Sequence, residues 1–296
     1  MNIFEALDNK FDLKEKIKNL SRLFLEKNYF VSGGYYTTFD DYFNNHYFRK
    51  WKYSYGCYDL QEFKDKIGLP YSYNFMDRND IFFYPENEVS AVNFLQYVYN
   101  ATKFVRDSMY KESGHISSDI QEFYDIFNNQ FNYILSKISQ KLIKDPKEDY
   151  YIIVPSNNKT TRCANIQDKN DTAFLLYEYT SSLLIGNVAR KREILKLLAN
   201  EIEPVVTASL AKYNSGPVHD VFFELSSCLN NFNIRHNNLD PRKPKYYHKE
   251  LLSFTDNDYE EIYDVAYDLI LDAYLLDEYS NKTKKTYAKY KTKAGL

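Results

Sequence analysis

One stretch of the chain concentrates residues capable of acid-base work on a phosphate. Residues 230–241 read NNFNIRHNNLDP, and Arg242, Lys245 and His248 follow within seven positions. Cleavage of RNA without a metal needs three things: a group to take the 2′-hydroxyl proton, a group to protonate the 5′-oxygen, and charge to neutralise the pentavalent phosphorus. Histidine exchanges protons near neutral pH. Arginine holds two phosphate oxygens in one planar fork. Asparagine donates to a further oxygen or positions the sugar. Arg235, His236, Asn237, Asn238 and His248 are therefore the candidate catalytic residues. Arg242 and Lys245 join them as candidate substrate contacts, and Lys284 and Lys285 of the basic segment NKTKKTYAKYKTK (281–293) are added on charge alone. The same residues also suit an ordinary helix terminus, where Arg235 would bind the last free carbonyls.

These side chains need helices to hold them. Apolar residues recur at helical spacing through 12–30, 86–111 and 116–144, with shorter helices at 39–52 and 59–69 and a loop or irregular strand at 71–84. The period changes at 150–155 (YYIIVP) and 160–166 (TTRCANI), which read as a β-hairpin. Four further helices are expected near 169–186, 189–213, 217–236 and 256–279. Pro217 sits in a first turn, Asp256 is placed to cap the last helix, and Pro204 falls inside the second. On this register Glu224, Cys228, Asn231 and Arg235 share one face of the third helix. Glu224 and Glu178 suit salt links. The expected class is all-α: two helical halves with a small β-hairpin between them. The boundaries are an N-terminal helical region (1–148, sensory or regulatory), the hairpin (149–167), a four-helix up-down bundle (168–280) and a basic tail (281–296).

Bulk properties narrow the classes. Apolar residues make up 44% of the 296 and aromatics 18%, enough for a real core; only eight glycines and eight prolines argue against a loop-rich β protein. A formal charge of −3 excludes a generally basic coat but leaves local basic grooves open. The three cysteines form no CxxC spacing, and no HExxH, phosphate loop or Gly-x-Ser-x-Gly elbow is present. No metal and no cofactor are expected. The absence of a long apolar run points to a cytoplasmic protein with no membrane segment.

An Arg followed by a polar residue at the end of a bundle's third helix, with a His before the fourth, resembles the HEPN superfamily. This resemblance rests on Arg235-His236 and His248 and covers about residues 169–279. It implies a four-helix bundle and a metal-independent endoribonuclease of a bacterial abortive-infection or toxin system. It also implies an RNA substrate, a homodimer that assembles the site across its two-fold axis, and a phage-derived trigger or antitoxin-like partner. In the family the motif His follows Arg by four to six residues. Here His248 lies thirteen positions after Arg235, whereas Arg242 and His248 are separated by five residues. Either His248 or His236 is left as the acting histidine. The alternative reading is a non-catalytic helical sensor or adaptor that binds a protein or RNA.

Overall fold

Among the described residues, two small antiparallel hairpins punctuate a fold that is otherwise mostly helical. This computed structural model describes residues 11–25, 28–47, 49–50 and 87–293, and the chain divides into two units between Pro155 and Ser156. The helix expected at 59–69 and the loop at 71–84 lie outside the described residues.

In the first unit α1 (Leu13–Leu25), β1 (Asn28–Ser32), β2 (Tyr35–Thr38), α2 (Phe39–His46), α3 (Glu88–Ser113) and α4 (Ser118–Lys137) precede a second hairpin, β3 (Gln140–Lys144) and β4 (Tyr151–Pro155). The first helix ends at Leu25 rather than running to 30, because the chain turns at Gly33-Gly34. Both glycines take positive φ, the geometry of a two-residue hairpin turn. The core is aromatic. Phe24 meets Phe39, Phe123 and Phe127 edge to face at 5.0, 5.6 and 5.5 Å.

The second hairpin corrects the sequence reading. Tyr151–Pro155 pairs backwards with Gln140–Lys144, while Asn158–Asn165 is helical. Ser139 breaks α4 with φ +53°, and Asp145 organises the turn by accepting from Lys147 N and Glu148 N. The strand-like TTRCANI becomes a helix because Asn157 caps it, accepting from Lys159 N and Thr160 N. The outer edge of β4 is closed by side chains of α3. Asn100 exchanges two 2.8 Å bonds with the main chain of Tyr151, and Gln96 accepts from Ile153 N at 2.7 Å. Two buried amides one helical turn apart thus do the work of a third strand.

The second unit comprises α5 (Asn158–Asn165), α6 (Asn170–Tyr179), a 3₁₀ turn (Ser182–Leu184), α7 (Val188–Lys212), α8 (Pro217–Asn231), a 3₁₀ turn (Lys249–Ser253) and α9 (Asp256–Lys293). Helices α7, α8 and α9 pack on one another, and α5 and α6 flank them. Pro217 opens α8 as expected, and α7 continues through Pro204. Thr255, not Asp256, caps α9: its Oγ1 accepts from Asp258 N, and the Asp258 carboxylate accepts from Thr255 N at 2.7 Å. The basic segment is not a loose arm, since α9 carries it to Lys293 as helix.

The first turn of α7 fixes the unit's geometry. Arg190 binds Glu178 of α6 through two bonds of 2.8 and 2.9 Å. Buried Lys191 donates to Glu260 and Asp264 of α9 at 2.8 and 2.7 Å. Arg192 reaches the backbone and side chain of Asn233, just past α8. Lys191→Met would leave Glu260 short of a partner beneath the surface. Because Asp264 is half exposed, we expect a loss of about 2 kcal/mol, below the ~3–5 kcal/mol of a fully buried pair. A melting curve against the parent chain reads this, and an unchanged midpoint would show that the lysine is not structural.

Candidate active site

Helix α8 ends at Asn231, five residues earlier than its apolar pattern suggests. Phe232 closes it by donating to Cys228 O, and Asn233 then adopts φ +60°, the left-handed conformation that asparagine tolerates best after glycine. Ile234 is fully buried and pins the reversed chain to the core. Arg235 therefore stands in the capping turn, not on the helix face shared with Glu224 and Cys228. Its N–H donates back to Leu229 O at 3.0 Å. Glu224 itself is exposed and makes no ion pair among the described residues. Glu178 does make the salt link expected of it, with Arg190.

Asn238 closes the loop that follows. It is wholly buried, and its amide makes three hydrogen bonds to main-chain groups. The oxygen accepts from Asn233 N at 2.9 Å. The nitrogen donates to Asn230 O at 3.0 Å and to Tyr246 O at 2.6 Å. Its main chain accepts from His248 N at 2.9 Å. Residue 238 thus joins the end of α8 to the far limb of the loop. Both amide protons are committed to main-chain carbonyls, so Asn238 has none to donate to a substrate, against its reading as a catalytic donor.

The loop presents a cationic surface around one imidazole. His236 lies on the Tyr246 ring, centroids 3.9 Å apart and planes at 20°. Its pKa is lowered from the ordinary histidine value, first by burial and then by the neighbouring charges of Arg235, Lys245 and Lys243; Glu203 opposes them. The ring is therefore neutral at neutral pH and able to accept a proton. Arg235 is half-buried and pairs with Glu203 of α7. Lys245 extends over the outer part of Tyr246, 5.1 Å from its ring centre.

The other candidates separate. Asn237 is exposed and accepts from Leu239 N at 3.3 Å. Arg242 is 88% exposed and folds back on Asp240 in a two-pronged pair of 2.9 and 3.1 Å, which holds that carboxyl below its usual range. His248 is half-buried and begins the 3₁₀ turn at Lys249; among the described residues its ring makes no hydrogen bond, and neither Arg235 nor Arg242 is bonded to it. Lys284 and Lys285 are not part of this loop. Lys284 acts on Tyr213 at the end of α7, ten residues beyond Glu203, or about 15 Å of helix.

Four contributors escaped the sequence reading: Tyr246, Lys243, Glu203 and Arg192. One tyrosine among 30 carries no signal. Glu203 and Arg192 act across a helix-helix contact that no linear spacing reveals. Among the described residues no group of three or more His, Cys, Asp or Glu is placed to hold a metal, and no helix is long and apolar enough to cross a membrane.

Asn238→Ala would strand one buried N–H and two carbonyls, at about 1–3 kcal/mol per unsatisfied group before relaxation. We expect a total loss of about 2–4 kcal/mol, with accelerated amide exchange confined to residues 233–248. Asn238→Asp should be no better, because it removes both donors. Wild-type melting and exchange in either variant would overturn the loop-closing role.

Compared with known proteins, the chain matches no family model, no curated protein and no solved structure.

Proposed function

We propose that the loop from Asn233 to His248 is the site of a metal-independent endoribonuclease, on a bundle of HEPN type, serving a bacterial antiviral or toxin system in the cytoplasm. The observation that carries this reading is the partly accessible His236, stacked on Tyr246 beside Arg235 and with Lys245 over the same tyrosine ring. Cations around a neutral imidazole are poorly placed to stabilise its protonated form, but well placed to bind a phosphate. When the phosphate arrives, its negative charge offsets theirs and raises the affinity of His236 for a proton. A base that gains strength on binding its substrate suits abstraction of a 2′-hydroxyl proton.

The steps follow from that arrangement. His236 takes the 2′-hydroxyl proton as the 2′-oxygen attacks phosphorus. Arg235 turns from Glu203 to the phosphate and stabilises the charge of the phosphorane. The P–O5′ bond breaks, the 5′-oxygen is protonated, and a 2′,3′-cyclic phosphate remains. The acid is His248 or a histidine from a second copy, which is the role of the proposed homodimer. A phage-derived trigger or antitoxin-like partner would act through the first unit. The rival reading, a non-catalytic sensor or adaptor, is favoured by one observation: Arg235 already has a carboxylate partner in Glu203.

Incubation of the purified chain with total RNA in EDTA should give cleavage with cyclic or 3′-phosphate ends. Arg235→Ala should lower the rate about 10²–10³-fold, as for other lost oxyanion donors, with a stability change within about 1 kcal/mol. His236→Ala and His248→Ala, tested side by side, identify the acting histidine. The acid limb of the rate should lie below the range of an ordinary histidine, because the neutral base is lost only as pH falls through the lowered pKa of His236. Lys243→Gln with Lys245→Gln should move that limb upward. A folded, fully active Arg235→Ala chain would end the nuclease reading.

A further inference from the structure

The far end of α9 is a second surface with its own chemistry. From Asn281 to Lys293 every residue is exposed, so these three and a half turns owe little to packing. They carry six lysines and no acid, in a chain whose formal charge is −3. Lysines in the last turn complement the helix dipole, which accounts for Lys291 and Lys293. It does not account for Lys282, Lys284, Lys285 and Lys289, where like charges three, four and seven apart repel along an exposed helix. Such a helix is stabilised by a polyanion laid along it.

The arrangement of the aromatics selects the polyanion. Tyr279, Tyr287 and Tyr290 are 67%, 71% and 59% exposed and, with Thr283, fall on one face at steps of four, eight and eleven residues. Lys282, Lys289 and Lys293 flank that face on one side, and Lys284 and Lys291 on the other. A strip of rings between two rows of ammonium groups fits bases stacking along the centre and phosphates along the edges. A bilayer would instead ask for a wide aliphatic or tryptophan face, and this segment has no Leu, Ile, Val, Phe or Trp between Asn281 and Lys293. A nucleic acid duplex would satisfy the lysines but leave the rings idle, because its bases are already stacked.

We propose that residues 279–293 of α9 form a docking helix for unpaired RNA, separate from the Asn233–His248 loop. The choice of RNA over DNA rests on the nuclease reading; the preference for unpaired strands does not.

Fluorescence anisotropy of the full chain with 20-nucleotide probes tests it. U20 should bind, weakening roughly fifty-fold between 50 and 200 mM salt if about four phosphates are engaged. The dT20 probe should also bind, and it lacks the 2′-hydroxyl needed for cleavage. Tyr287→Ala with Tyr290→Ala, both on exposed rings, should weaken U20 and dT20 more than ten-fold while leaving a 20-base-pair duplex unchanged. Lys282→Gln with Lys284→Gln and Lys285→Gln should flatten the salt dependence. Arg235→Ala should keep U20 binding whatever it does to cleavage, so the docking helix and the nuclease site fail independently. Equal binding of duplex and U20 with no effect of the tyrosine changes would overturn the proposal. So would binding of phosphatidylserine vesicles in preference to U20, or no binding at 50 mM salt.

Discussion

Three consecutive cations begin α7, at the end of a helix where positive charge is least welcome. Arg190, Lys191 and Arg192 are kept there because each is bound by a different element: Glu178 of α6, Glu260 and Asp264 of α9, and Asn233 beyond α8. Consecutive helix residues point about 100° apart, so one turn distributes three partners around the bundle axis. The orientation of α6 and α9, and the place where the chain leaves α8, all refer to this turn. Lys191 also lies over the Tyr179 ring, and Tyr179 donates to Asp264 at 2.9 Å, so the ion pair is tied into the stacked Tyr179–Tyr267 core.

Arg192 carries this constraint to the candidate site. By holding Asn233 in its left-handed turn, it fixes the residue that exchanges hydrogen bonds with Asn238, and Asn238 in turn sets the position of Tyr246 under His236. The chain uses the same device in its first unit, where Gln96 and Asn100 satisfy the open edge of β4. In both places a buried amide replaces a missing stretch of regular structure. Much of the asparagine that crowds residues 230–238 is therefore architecture. It builds a rigid frame, and the groups left free for chemistry on that frame are fewer than the cluster suggests.

The helices of the second unit were legible in the sequence because their apolar residues keep a helical period; ends and caps were less so. Arg235 reads as helical because the period runs through it, yet Asn233 ends the helix first. TTRCANI reads as strand from its β-branched pair, yet the Asn157 cap turns it into helix. Local propensity lost in both cases to the hydrogen bonds made by one asparagine. The candidate site is legible as a stretch of chain, and its spacing misleads about which groups meet there. Arg235 and His236 are adjacent in sequence and remain so in space. The ring beneath His236 and the carboxylate beside Arg235 come from ten and thirty-two residues away, and no spacing rule reaches them. Lysines 284 and 285, grouped with the loop by charge alone, belong to another surface.

The proposed nuclease chemistry depends most on His236 being a neutral base whose proton affinity rises when a phosphate meets the cations around it. Proton NMR of the imidazole across pH 4–9, with and without a 2′-deoxy dinucleotide that cannot be cleaved, measures this directly. Free chain should give a His236 titration below that of an unperturbed histidine, and bound dinucleotide should move it upward, with the upward shift reduced in Arg235→Ala. A His236 that titrates normally and ignores the dinucleotide would contradict the account.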